Sequence, residues 1–181
     1  MGHVDNKKIS RYLSFILRHK PAEIGIKLDE HGWVDIDELI EKAKYQLTRE
    51  LLEEIVRTNN KQRFKIDGNK IRASQGHSIG VNLGLKEEDP PDHLYHGTPR
   101  RSTSKIWIGG LKKMSRDHVH LSETVTEAII VGLRRDPRPV VLRISAGSMY
   151  KEGFKFYLAD NDVWLTDNVP SKFLWLHGQP E

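Results

Sequence analysis

Along the first third of the chain, apolar residues recur with the spacing of helices. Ile9, Leu13, Ile16 and Leu17 share one face of a helix predicted over residues 6–19 and stopped by Pro21. Ile24, Ile26 and Leu28 then alternate with Gly25 and Lys27, which predicts a short strand, a turn over residues 29–32 and a return at Trp33 and Val34. Leu39, Ile40 and Ala43, and then Leu51, Leu52, Ile55 and Val56, mark helices over residues 36–43 and 48–59, the second opened by a Thr48 cap. A hairpin follows, with strands over residues 63–66 and 70–73 joined by Asp67-Gly68-Asn69. Its alternation turns Phe64, Ile66, Ile71 and Ala73 inward and Arg63, Lys65, Lys70 and Arg72 outward as a basic face. Three helices followed by a basic hairpin is the order of a winged helix-turn-helix.

The pattern breaks over residues 75–92, rich in Gly, Ser, Asp and Pro, which reads as a connection. The division expected is residues 1–80, a linker over 81–92, and a second lobe over 93–181. In that lobe Leu94-Tyr95-His96-Gly97-Thr98 is a short apolar run closed by a turn, where backbone N–H groups can meet a diphosphate or a ribose. A helix is predicted from Ser102 to about Ile108, and Thr124-Val125-Thr126-Glu127 is a capping box opening another. Residues 139–144 read as a central strand, with further strands over 154–159, 163–166 and 173–176. Short strands with few helices between them predict a mixed α+β class rather than a doubly wound sheet.

Composition narrows the function classes. The 181 residues contain no cysteine, so disulfides, thiolate metal sites and cysteine nucleophiles are excluded. No apolar run is long enough to span a membrane and no signal segment opens the chain, so a cytoplasmic protein free of membrane partners is expected. Residues 1–80 carry 15 Lys and Arg against 12 Asp and Glu, a net +3 of the chain's +4. This suits a phosphate-bearing partner. The 48–59 helix presents Glu50, Glu53 and Glu54, poor chemistry for reading a DNA major groove, so phosphate contact by the hairpin and the end of the first helix is the better expectation.

The stretch richest in chemistry is Arg116-Asp117-His118-Val119-His120-Leu121-Ser122. If extended, it turns Arg116, His118, His120 and Ser122 to one face and Val119 and Leu121 to the other. From these residues alone, three readings stay open: the wet face of a half-buried strand, a His-x-His metal site needing a third ligand from His96 or Asp117, and an anion or dinucleotide site.

Taken in order, Leu17-Arg18-His19-Lys20-Pro21, Lys61-Gln62-Arg63-Phe64, Leu94-Tyr95-His96-Gly97-Thr98, Arg116 through Ser122, and Asp162-Val163-Trp164-Leu165-Thr166 resemble the NAD-dependent tRNA (RNA) 2′-phosphotransferase family. The match runs from about residue 7 to residue 174. The resemblance implies an N-terminal winged-helix-like lobe and a C-terminal lobe with the NAD-binding fold of ADP-ribosyltransferases, the substrate phosphate lying between them. It implies no metal and no obligate protein partner. NAD is consumed as co-substrate, and the partner is an RNA bearing a 2′-phosphate, as in a tRNA splice junction. By the same resemblance Arg18, His19, Arg63 and Arg116 act on the RNA 2′-phosphate. His96 and His120 are the NAD-site histidines, with Gly97, Thr98 and Ser122 beside them, while His118 and Lys61 are neighbours without an assigned role. Val163 stands where typical ADP-ribosyltransferases carry a glutamate. The implied reaction has two steps. The 2′-phosphate displaces nicotinamide to give RNA-2′-phospho-ADP-ribose; the ribose 2″-hydroxyl then attacks phosphorus, releasing ADP-ribose 1″,2″-cyclic phosphate and RNA with a free 2′-hydroxyl. Two alternatives remain: an ADP-ribosyltransferase that caps phosphate ends of nucleic acids, and a non-enzymatic winged-helix protein that senses NAD.

Overall fold

The computed structural model describes residues 5–59 and 61–178. The chain divides into two compact units, Met1–Gly84 and Leu85–Glu181. Each unit mixes helices with small antiparallel sheets, so the α+β class is as the pattern predicts.

In the first unit, α1 (Asn6–Arg18) starts where the Asp5 carboxylate accepts from the Lys7 N–H, and it buries Ile9, Leu13, Ile16 and Leu17. The predicted strand at Ile24, Ile26 and Leu28 does not form. Pro21 is already set at the φ of a helical first turn, so Pro21–Ile24 winds into a 3-10 turn that ends at Gly25, φ +71°. The alternating aliphatics pack into the core without a ladder partner. The returning strand β1 (Val34–Asp35) leads into α2 (Ile36–Lys42), capped by Asp35, and α3 (Arg49–Thr58) is capped by Thr48, which accepts from the Leu51 N–H. The hairpin of β2 (Phe64–Asp67) and β3 (Lys70–Ala73) closes a sheet of order β1-β3-β2, with Ile66 opposite Ile71 and Asp67 opposite Lys70. One side chain of the predicted basic face is turned to another use. Arg72 is buried, its guanidinium stacked on the Trp33 ring at 4.6 Å and donating to the carbonyls of His31 and Leu83. Residues that follow the hairpin cover this side of β3, so a cation there needs a ring and carbonyls in place of water.

The second unit runs β4 (Leu94–Thr98), α4 (Thr103–Gly109), β5 (Leu111–Lys112), β6 (Val119–Leu121), α5 (Val125–Gly132), β7 (Val140–Ile144), α6 (Ala146–Lys151), β8 (Tyr157–Leu158), β9 (Trp164–Thr166), β10 (Asn168–Val169) and β11 (Leu174–Leu176). Strand β7 is central in a sheet of order β11-β7-β4, a second sheet is ordered β6-β9-β8, and β10 pairs with β5. Tyr95 and Ser122 exchange backbone hydrogen bonds at 2.8 Å and so tie β4 to the end of β6. The Thr124 and Glu127 box forms with both of its bonds. Helix α5 lies so close on β4 that a Cβ on Gly97 would stand 1.8 Å from the Ala128 carbonyl oxygen. The core is built from Leu94, Leu121, Leu142, Ile144, Met149 and Phe156 with their neighbours. Among the described residues no helix is long and apolar enough to cross a membrane.

Candidate functional site

Two groups of the sequence-predicted residues come together, one in each unit. In the first, the stripe that buries α1 leaves Arg18 and His19 at its C-terminal end, where a cation complements the helix dipole. Arg18 Nη2 donates to the Arg63 carbonyl at 3.4 Å, so the helix end and the start of the hairpin are joined at two of the predicted residues. Three further residues complete this group. Gly76, at φ +85°, passes beneath the Arg18 guanidinium, with Nη1 3.6 Å from where a Cβ would stand. The Ser78 N–H donates to the Arg18 carbonyl at 3.0 Å, and Ser78 Oγ lies 2.8 Å from His19 Nδ1. Between them, His77 is 1% exposed.

Sequence reasoning passed over Gly76, His77 and Ser78 because Gly and Ser dominate the segment and mark a connection. The available signal was a histidine inside it, next to a glycine. Burial, then the charges of Arg18, His19 and Arg72, bring the His77 imidazole down from 6.5 to about 4. His77 is therefore neutral in the folded protein near neutral pH, while in the unfolded chain it takes up a proton below about 6.5. Folding stability is free of this cost above that pH and falls as pH drops toward about 4, by about 3 kcal/mol in all. Chemical denaturation from neutral to mildly acid pH should show a shallower pH dependence for His77→Asn than for the parent, whatever the variant's stability at neutral pH.

In the second unit, Tyr95 pairs with Ser122, which sets the neighbouring His96 against β6. His96 Nδ1 lies 3.0 Å from the His120 carbonyl oxygen. That oxygen only accepts, so Nδ1 carries the proton and Nε2 is left as an acceptor. Burial is the main cause holding the His96 imidazole below its ordinary range, opposed by that hydrogen bond and reinforced by the Arg116 charge. His96 is neutral. Arg116 Nη1 lies 3.3 Å from His120 Nδ1. A guanidinium only donates, so His120 holds its proton on Nε2. Burial first, and then the Arg135 and Arg134 charges, lower the Arg116 pKa, which marks a site of concentrated positive charge.

The strand predicted over Arg116 to Ser122 is shorter than its alternation suggests. Only Val119–Leu121 pair with β9, and residues 116–118 form a bend. Arg116 still reaches His120 from that bend. His118, in the bend, lies beside the Tyr157 ring, 5.7 Å between centroids, while His120 pairs with Leu165 in the sheet. Among the described residues no group of three or more His, Asp or Glu side chains converges on a metal position. Val163 is half-buried just before the Trp164 that pairs with Leu121, and its carbonyl accepts from the Ala159 N–H at 3.0 Å. Gly97 and Thr98 are buried in β4, and the demand for glycine at 97 comes from the α5 backbone.

A family model described as RNA 2′-phosphotransferase, Tpt1/KptA family, matches residues 4–168. A Flavobacterium johnsoniae protein named "Probable RNA 2′-phosphotransferase" is 53% identical over 173 residues, 93% of this chain and 94% of its own. Proteins of the same name from Nostoc punctiforme and Fusobacterium nucleatum are 52% and 51% identical, each over 92% of this chain and 94% and 96% of their own.

Proposed function

Since the chain belongs to the RNA 2′-phosphotransferase, Tpt1/KptA family, we propose that it transfers an internal RNA 2′-phosphate, such as that of a tRNA splice junction, to NAD in the cytoplasm. The protein is an enzyme, an RNA 2′-phosphotransferase. In this reading residues 1–80 are a winged-helix-like lobe, residues 81–92 a linker, and residues 93–181 an ADP-ribosyltransferase-like lobe. Helical order and the antiparallel hairpin support the first assignment, and the small antiparallel sheets with helices between them are compatible with the second.

The observation that carries the reading is the contact chain from Arg116 through His120 to His96. It joins an anion-binding cation to two neutral imidazoles of defined tautomer, a donor set suited to a phosphate beside a ribose. NAD supplies the acceptor ribose and the nicotinamide leaving group. His96, with Nδ1–H committed to the His120 carbonyl, offers Nε2 to a ribose hydroxyl; Gly97, Thr98, His120 and Ser122 frame the same site. Val163 keeps one wall apolar. A carboxylate there would repel the phosphate dianion by roughly 8 kcal/mol at about 4 Å and an effective dielectric near 20. The dianion is itself nucleophilic, so the first step needs no general base.

The second step builds charge on phosphorus. Arg18, Arg63 and Arg116 are assigned to its oxygens through charge-assisted hydrogen bonds. His19 is assigned to protonate the departing RNA 2′-oxygen.

An RNA oligonucleotide with one internal 2′-phosphate tests the reading. The phosphate should leave when NAD is present and stay when it is absent; retention in both would refute the proposal. His96→Ala should raise the NAD concentration needed for half-maximal rate by roughly tenfold, the loss of about one hydrogen bond to a ribose hydroxyl, with a smaller change in the rate at saturation. Steady-state titration of NAD checks this.

A further inference from the structure

We infer that Ser78 is a positioning residue for His19, holding the Nδ1 proton so that Nε2 is the nitrogen that exchanges a proton with the substrate. The inference rests on the assignment of His19 to the phosphate chemistry.

The geometry is a two-point clamp on the end of α1. Ser78 binds the Arg18 carbonyl through its backbone N–H at 3.0 Å and meets His19 Nδ1 through Oγ at 2.8 Å. The backbone bond fixes where the hydroxyl sits, and the preceding Gly76, at φ +85°, lets the chain pass under Arg18 to reach that position. His19 is itself held at the helix end, its N–H donating to the Phe15 carbonyl at 3.0 Å.

Proton bookkeeping then decides the direction of the Ser78 contact. An imidazolium carries a proton on each nitrogen, so in the protonated form His19 Nδ1–H must donate and Ser78 Oγ must accept. The helix C-terminus favours that form. As the ribose 2″-oxygen bonds to phosphorus and releases its proton to water, Nε2 gives its proton to the departing RNA 2′-oxygen, the O2′–P bond breaks, and the imidazole is left neutral with Nδ1–H still bonded to Ser78. The ring neither flips nor changes partner during the transfer.

The Ser78→Ala variant keeps the backbone bond to Arg18 and should fold. Its expected behaviour is about a tenfold slower second step in a single-turnover assay with RNA-2′-phospho-ADP-ribose, a fraction of a whole acid–base contribution. The first step and the NAD requirement should be unchanged. Ser78→Thr, which retains Oγ, should restore the rate. Independently of activity, the imidazole nitrogen resonances of His19 should report an Nδ1–H tautomer in the neutral form of the parent protein. In Ser78→Ala they should shift toward the Nε2–H tautomer. An unchanged tautomer in Ser78→Ala, an unchanged second step, or a threonine variant as slow as the alanine one would each overturn the inference. Failure of the parent protein to remove a 2′-phosphate would instead strike the functional reading, and the tautomer measurement stands apart from it.

Discussion

Arg116→Ala is expected to slow release of the RNA 2′-phosphate by about a hundredfold to a thousandfold, leaving phospho-ADP-ribosylated RNA to accumulate. The magnitude is that of removing one preorganised donor from a developing oxyanion, roughly 3 to 4 kcal/mol. Arg116 is suited to that role by its surroundings. It reaches His120 Nδ1 at 3.3 Å, and its guanidinium is partly desolvated in the field of Arg134 and Arg135. A phosphate relieves that concentration of like charge, and the relief grows as negative charge builds on the phosphoryl oxygens. The NAD requirement should move little, because His96 is fixed by the His120 backbone carbonyl and not by the His120 ring. Arg116→Lys should recover only part of the loss, since a point charge cannot reproduce a two-pronged contact. Single-turnover kinetics that resolve the two steps provide the check; phosphate removal at the parent rate by the alanine variant would refute the assignment.

The largest effect on stability is expected at Gly97. Its missing Cβ would lie 1.8 Å from the Ala128 oxygen, 2.7 Å from the Ala128 carbonyl carbon and 3.0 Å from the Gly132 nitrogen, all backbone atoms of α5. No side chain can swing aside, so even a methyl group forces α5 off the sheet. Gly97→Ala should cost about 3 kcal/mol or more, the upper end of overpacking penalties, and Gly97→Val should leave little folded protein. Gly80→Ala, whose added Cβ meets no atom within 4 Å, is the matching control and should unfold at the parent midpoint. Denaturant titration of the three variants checks this. A parent-like midpoint for Gly97→Ala would mean that the close approach of β4 and α5 is not as described.

Gly97 also shows where reading from sequence runs out. Its place after His96 suggested a turn that opens the backbone to a diphosphate, yet the demand for glycine is set by a helix some thirty residues later in the chain, a contact that no local pattern encodes. Helices α1 and α3 were legible because their stripes and caps are local, and so was the hairpin, whose turn residues and alternation agree. Helix α6 was not, since Ala-Gly-Ser-Met-Tyr-Lys carries neither a helical stripe nor a side-chain cap. Arg72 alternates onto an outer face that Trp33 and the chain after the hairpin then cover, a tertiary event.

The Arg116 to Ser122 stretch was half legible. Alternation placed Arg116 with His120, and the structure brings them into contact, though from a bend and not along a strand. His118 looked equivalent to His120 because periodicity alone cannot see the Tyr157 ring that claims it. Likewise, the composition that marked residues 75–92 as a connection hid the Gly76-His77-Ser78 clamp, whose meaning lies in the helix end it touches.

The central claim is transfer of the phosphate to an NAD-derived ribose, as opposed to its hydrolysis. Following an RNA whose single internal 2′-phosphate carries a radioactive label tests this most directly. The label should move, one for each NAD consumed, through RNA-2′-phospho-ADP-ribose into ADP-ribose 1″,2″-cyclic phosphate, leaving RNA with a free 2′-hydroxyl. Label released as inorganic phosphate, or lost from the RNA without NAD, would contradict it.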